Sequence, residues 1–366
     1  MTATYSPAEV FPAGEYLRDE LDERGWSVTE FAEILGRPLQ AVSEILNGKK
    51  RITTETAISI AEATGTSAEL WLNLETAYRL HQQRSEMSPG VLTPVARRAR
   101  LRSAVPLAEI RKRGWLPEVA DATDLDGLEG AVCTLLGVRS VDERPEFAVA
   151  ARRSNPNEHV TIEQAAWLGH VRQVASGQRV GPYDPDALRS VAAQIPRIVK
   201  DGPSELRHVS PLLADCGVRL VFAEGLRGGK LDGAVTFLPD ERPAIGVTTR
   251  GNRFDSTLFT LLHECAHLTF GHITPTSLVI IDDDLTQDDP DPREVEANAQ
   301  ASNWLFPDGF EIESTSMSAI VEAATRYQVH PSVVVGRVQH DTKYWSRHRS
   351  HIPKVRQDLE ISGLLS

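Results

Sequence analysis

Cysteine is scarce in this chain. Cys133, Cys216 and Cys265 are the only three in 366 residues, and none stands in a CxxC pair. An odd, scattered set excludes a disulfide framework and fits a reducing compartment. Long apolar runs are missing too: no stretch approaches the roughly 20 residues that a membrane helix needs. The opening MTATYSPAEVFPAGEYL has no basic segment leading into an apolar one, so no signal peptide is read there. Internal repeats and low-complexity tracts are also absent. Together these absences predict a cytoplasmic protein that has no membrane partner.

The rest of the composition is that of an ordinary globular protein, at 41% hydrophobic and 25% charged. The length predicts two or three domains. The net charge of −12 is spread unevenly. Between Arg79 and Arg113 nine Lys/Arg face only Glu86 and Glu109, a local excess of +7. Residues 1–75 hold six Lys/Arg against thirteen Asp/Glu, and a second acidic run spans Asp282 to Glu296. The basic stretch can meet phosphates or form a solvated helix face or linker. The acidic run fits a second cation or, more simply, a solvated loop.

The pattern along the chain predicts a multidomain, mainly α protein. Short helices are expected over 14–24, 29–35, 38–46, 54–64 and 67–80, with Thr29 as the N-cap of the second. This makes 1–80 a compact all-α unit. Residues 81–203 read as a helical linker or middle region, with helices over 125–136, 162–175 and 185–200. Residues 204–345 read as an α+β domain. A helix over 205–216 leads to a strand over 218–222, and strands over 233–237 and 244–247 form a hairpin across Pro239–Pro243. Helices follow over 254–270, 291–306, 316–327 and 331–339, and 346–366 reads as a tail.

The sharpest chemical signal is HECAH at His263–His267. On a helix, residues four apart share a face, so His263 and His267 can offer two imidazoles to one ion. Glu264 lies about 100° round the helix, in reach of a water there. Imidazole is a borderline donor suited to zinc (Zn2+). A catalytic zinc needs a third protein ligand and an open position. The segment EVEANAQASNWLFP offers Glu294, with Asn298 behind it, and Glu296 as the rival. Glu294 also stands where the capping-box residue of a helix capped by Asp291 would stand. Ala297, Ala299 and Ala301 would let this helix approach the HExxH helix closely.

With these residues in view, the stretch over 204–341 resembles the ImmA/IrrE metallopeptidase family. The resemblance rests on FTLLHECAHLTFGH, EVEANAQASNWLFP and VHPSVVVGRVQHD in that order. It implies a zincin-like domain with His263, His267 and Glu294 on the metal and Glu264 as the catalytic residue. It also implies a zinc endopeptidase acting on a repressor, a toxin–antitoxin protein or a stress-response protein. Tyr327, His330 and Arg337 are candidate oxyanion donors, and His272 is a candidate assistant.

The stretch TEFAEILGRPLQAVSEILNGKKRITTETAISIAEATGTSAELWLNLETAY resembles the XRE/Cro-like helix-turn-helix of HigA-type antitoxins. In that fold the third helix enters the major groove and neighbouring residues hold phosphates. Carried over, Gln40 and Ser43 face bases or backbone, while Thr29, Lys49, Lys50 and Arg51 meet phosphates. The implied partner is operator DNA, bound as a homodimer. Leu39 and Glu44 depart from the basic reading helix common in such repressors, and Glu44 facing a phosphate would be repulsive. The alternative reading is a HigA-type antitoxin whose zinc domain is a sensor or scaffold without turnover. Because both units share one chain, the peptidase is expected to act in the 86–113 stretch, read as extended, or on a partner held there.

Overall fold

The structure is a computed structural model, and it describes residues 10–86, 91–117, 124–147, 152–153, 160–275, 279–282 and 291–366. Most of the acidic run expected as a loop or cation site lies outside these residues. The chain divides into two compact units, Met1–Thr93 and Pro94–Ser366. No helix among the described residues is long and apolar enough to cross a membrane.

The first unit is five helices: α1 (Ala13–Arg24), α2 (Val28–Ile34), α3 (Leu39–Leu46), α4 (Thr54–Thr64) and α5 (Ala68–Glu86). Leu17, Leu21, Phe31, Val42, Ile45, Ile60 and Trp71 fill its core, drawn from every helix at helical spacing. The start of α2 differs from the expectation of an N-cap at Thr29. Ser27 caps it instead, in a capping box with Glu30: Glu30 N–H donates to Ser27 Oγ at 3.2 Å, and Ser27 N–H donates to the Glu30 carboxylate at 2.8 Å. Thr29 therefore sits within the first turn of the helix.

The second unit is a five-stranded mixed sheet with helices on both faces. In chain order it holds α6 (Pro94–Ala104), α7 (Leu107–Lys112), α8 (Leu125–Leu136), β1 (Arg152–Arg153), α9 (Ile162–Ser176), α10 (Pro185–Ala192), α11 (Ile195–Ile198) and α12 (Val209–Asp215). There follow β2 (Arg219–Ala223), β3 (Gly233–Phe237), β4 (Pro243–Thr248), α13 (Phe254–Thr269), β5 (Val279–Asp282), α14 (Pro292–Leu305), α15 (Met317–Tyr327), α16 (Pro331–Thr342) and α17 (Arg356–Ile361). The helix expected over 185–200 is broken into α10 and α11; Pro196, at the start of α11, could not continue the ladder of α10. Strand order is β1-β5-β3-β4-β2, with β3 antiparallel to both neighbours and β2 parallel to β4.

Every residue of β2, β3 and β4 is buried, which requires cover on both faces. Alternation divides the side chains. Leu220, Phe222, Val235, Phe237, Ile245 and Val247 meet α13 through Leu258, Leu261, Leu262 and Cys265. Val221, Ala223, Ala234 and Ala244 turn the other way, toward Leu128, Val132 and Leu135 of α8 and Trp167, Leu168 and Val171 of α9. At Gly246 a Cβ would lie 2.6 Å from the Trp167 ring, so that close approach excludes any side chain.

Three expectations are corrected here. Residues from Pro94 to 203 are not a linker, because α8 and α9 supply the second face that the sheet needs. The stretch read as extended over 86–113 is largely α6 and α7, with Leu101, Val105 and Ile110 fully buried. Nor is 346–366 a tail. Val355 and Leu359 enter the core, Leu365 bridges to Phe222 at the free edge of β2, and Ser366 N–H donates to Phe222 O at 2.9 Å. Leu359→Ala is expected to lower the stability of the second unit by about 2–5 kcal/mol. Urea unfolding followed by the tryptophans of that unit checks this; an unchanged midpoint would return the segment to the status of a tail.

Candidate functional site

The longest buried helix of the second unit is α13. The run FTLLHECAHLTF places apolar residues against the sheet, and His263, Glu264 and His267 within the same turns are fully buried. Its main partner is α14, which starts at Asp291 with the Asp291 carboxylate accepting from Arg293 N–H at 2.9 Å and Pro292 in the first turn. Ala297 and Ala301, four apart, are fully buried on one stripe of α14, whereas Ala299 faces out. Two alanines rather than three therefore let the helices approach.

That approach brings Glu294 onto the two histidines. Its Oε2 lies 3.2 Å from His263 Nε2 and its Oε1 lies 3.5 Å from His267 Nε2, with the two Nε2 atoms 2.9 Å apart. One donor atom from each of the three lies within 4.8 Å of the others, the single such cluster of His, Cys, Asp and Glu among the described residues. Burial pushes the Glu294 carboxyl up, but hydrogen bonds from His263 and His267 and their charge outweigh it and hold the group well below the usual carboxylate range. It is ionised, as a metal ligand must be. Two imidazole nitrogens and a carboxylate oxygen are the donor set of one class of catalytic zinc site, so the residues present fit that ion.

Glu264 lies beside the cluster against the first residue of β3. A Cβ built on Gly233 would fall 2.1 Å from Glu264 Oε1 and 2.7 Å from Thr260 Cγ2. Only glycine leaves the carboxylate its place, and nothing in the sequence marks that residue. Behind His267, its Nδ1 lies 3.0 Å from His272 Nδ1, and His272 Nε2 lies 3.0 Å from Glu296 Oε2. Glu296, the rival ligand, thus meets His272 and not the cluster. Burial lowers the His272 pKa. The Asn298 Oδ1 atom is buried without a hydrogen-bond partner one turn after Glu294.

The three residues suggested as oxyanion donors make hydrogen bonds outside the His263–His267–Glu294 cluster. Tyr327 OH accepts from Glu311 N–H at 2.8 Å and donates to Gly309 O at 3.0 Å. His330 caps α16, its Nδ1 accepting from Ser332 N–H at 3.1 Å. Arg337 pairs with Asp341 at 2.9 Å and donates to Ser302 at 2.9 Å.

In the first unit, Gln40 and Ser43 stand one turn apart on α3, the first exposed and the second half-buried. Gln40 Nε2 donates to Glu44 at 3.1 Å, which engages both on the helix surface. Lys49, Lys50 and Arg51 are exposed in the turn after α3, with the Lys49 and Lys50 amides donating to Glu44 O at 2.8 and 3.0 Å. None of the three forms an ion pair among the described residues. Thr29 is exposed near the start of α2.

Comparison with known proteins matches both units. A helix-turn-helix family profile matches residues 17–71, and an IrrE N-terminal-like domain profile matches residues 221–339. The chain is similar to the HTH-type transcriptional regulator YddM of Escherichia coli K12, 36% identical over 67 residues that cover 18% of this chain and 71% of the relative. A Haemophilus influenzae HTH-type regulator is 33% identical over 90 residues, covering 23% of this chain and 84% of that protein. Among solved structures, an addiction module antidote protein of the HigA family from Coxiella burnetii is 33% identical with a TM-score of 0.20, covering 22% of this chain and 98% of that one.

Gly233→Ala should push the Glu264 carboxylate from its position while leaving His263, His267 and Glu294 in place. The expected outcome is a protein that still takes up a stoichiometric divalent ion but loses at least about tenfold in any turnover that depends on Glu264. Metal content measured beside activity checks it; loss of metal and fold together would show that Gly233 serves packing alone.

Proposed function

The chain belongs to the helix-turn-helix transcriptional regulators and carries an IrrE N-terminal-like domain behind that unit, and from that premise we propose that it is a DNA-binding regulator with zinc-dependent endopeptidase activity. The observation that carries the enzymatic half is the convergence of buried His263, His267 and Glu294 beside an equally buried Glu264. A structural zinc site has no use for Glu264.

His263, His267 and Glu294 would hold the ion. When bound, zinc polarises a scissile carbonyl as a Lewis acid and acidifies water at neutral pH. Glu264 accepts a proton from the attacking water and passes it to the amine nitrogen as the peptide C–N bond breaks, so one carboxylate serves as base and then as acid. Its place against β3 keeps its carboxylate out of bulk solvent. His272, backed by Glu296, faces the Nδ1 of His267 and would leave the Nε2 of that imidazole available as a ligand.

The substrate is a protein, and a repressor, antitoxin or stress-response protein suits a peptidase joined to a DNA-binding unit. The helices that occupy most of 86–113 favour a separate polypeptide over cleavage within this chain, because a peptidase needs an extended backbone in its cleft. Operator DNA is the partner of the first unit, taken by a homodimer on half-sites about one helical turn apart. Gln40 and Ser43 would read bases or backbone, and Thr29, Lys49, Lys50 and Arg51 would hold phosphates.

Two experiments test this reading. Glu264→Gln should keep zinc and lose cleavage of the products of neighbouring genes, by about 100-fold or more, whereas His263→Ala or His267→Ala should lose most of the zinc and Glu294→Ala should bind it more weakly. Absence of cleavage by the wild-type protein would leave a sensor or scaffold, and cleavage that persists in Glu264→Gln would remove Glu264 from the role of base and acid. Separately, replacing Lys49, Lys50 and Arg51 together with alanine should weaken operator binding and flatten its salt dependence, by about 0.9 in slope for each phosphate no longer neutralised. A gel-shift titration with an unchanged salt slope would place the phosphate-holding residues elsewhere.

A further inference from the structure

A cavity of about 260 Å³ opens where β2 and β4 end and β3 begins, distinct from the His263–His267–Glu294 cluster. This is the end of the sheet at which open α/β folds bind ligands. Its wall carries Lys230, Arg250 and Arg356, and no carboxylate is among the lining residues. Glu224 and Asp232 stand just outside. Glu224 holds Arg356 at 2.8 Å and Asp232 holds Arg250 at 3.3 Å. Lys230 forms no ion pair among the described residues, so one cation faces the cavity without compensation.

The wall also carries Thr249, which is buried and whose hydroxyl has no hydrogen-bond partner. A buried hydroxyl without a partner is unfavourable, and an acceptor bound at this wall would satisfy it. The loop that forms the cavity is glycine-rich yet tied down on all sides. Arg113 donates to Glu224 O at 2.7 Å and to Gly225 O at 3.0 Å. Gln164 Nε2 donates to Gly229 O at 2.9 Å, and Thr248 Oγ1 donates to Leu231 O at 2.8 Å. Across the cavity, Arg356 N–H donates to Asn252 Oδ1 at 2.8 Å. Hydrogen bonds from beside α7 and from α9 and α17 thus hold the cavity in shape before any ligand arrives, which lowers the ordering cost of binding.

We propose that this cavity binds a phosphate group. Guanidinium and ammonium donors, a hydroxyl and close glycine backbone are the chemistry that recognises such an anion. The group comes from a small phosphate-bearing molecule, because 260 Å³ admits little more than a phosphate and a compact substituent. This inference does not depend on peptidase activity, since its readout is binding.

The test is calorimetric titration of the full chain with inorganic phosphate and, in a second arm, with a nucleoside monophosphate. Wild type should bind phosphate saturably. Lys230→Gln should weaken binding about tenfold and Thr249→Val by a smaller factor, both with an unchanged circular dichroism spectrum. Neither side chain bears on the fold through an ion pair or hydrogen bond among the described residues. Tighter binding of the monophosphate would assign an ester as the ligand, and equal binding would assign the phosphate group alone. Absence of saturable binding up to about 10 mM would overturn the proposal. So would wild-type affinity in both variants, the result expected if phosphate sits instead at the Lys49–Arg51 turn.

Discussion

The contact between Glu294 and the two imidazoles of His263 and His267 is the constraint around which the second unit is arranged. An ionised carboxylate can be buried only if it is paired, and its partners here come from a helix about 30 residues earlier in the chain. Holding that contact requires α13 and α14 to pack closely, which Ala297 and Ala301 permit. It also requires α13 to lie still against a sheet. The sheet in turn is stable only when its other face is covered, a task that falls to α8 and α9. The last residues of the chain add a further stop along the edge of β2. A site built from three side chains therefore draws on nearly the whole of Pro94–Ser366.

Much of this is legible in the sequence because its signals are local. HECAH declares a helix face through four-residue spacing, and Asp291-Pro292 declares the start of α14. Two apolar runs joined by the turn-like Pro239–Pro243 reveal the β3–β4 hairpin almost to the residue. The corrected expectations share a cause: most depend on neighbours distant in sequence. Residues 94–203 look like a linker until one knows that β2, β3 and β4 are buried on both faces. Leu359 looks like part of a tail until β2 is seen to need a neighbour. Gly233 carries no mark in the sequence, since its role exists only where Glu264 lies against it. Thr29 yields the cap to Ser27 for a local reason, because Glu30 completes a capping box three residues after Ser27 but not after Thr29. Tyr327, His330 and Arg337 are suggested from the C-terminal segment alone, and their hydrogen bonds run to Gly309, Ser332, Ser302 and Asp341.

The two units carry opposite chemical problems. On the proposed reading the first approaches a polyanion although acidic residues outnumber basic ones in it, and among the described residues Lys49, Lys50 and Arg51 in the turn after α3 form no ion pair. The second must keep water and charge under control in a buried cluster, and it does so by setting the Glu294 carboxylate against two imidazoles. The cation-lined cavity at the ends of β2 and β4 belongs to neither task. Its walls are fastened in part by α9, which also covers the sheet, so one helix supports both the cluster and the cavity.

The central claim is that His263, His267 and Glu294 hold one zinc ion. X-ray absorption at the zinc edge, on full-length protein reconstituted with a single equivalent of metal, tests it most directly. The account expects two imidazole nitrogens and carboxylate or water oxygen at about 2.0–2.2 Å, with no sulfur in the coordination sphere although Cys265 lies within the motif. A sulfur shell at about 2.3 Å, or a single imidazole, would contradict it.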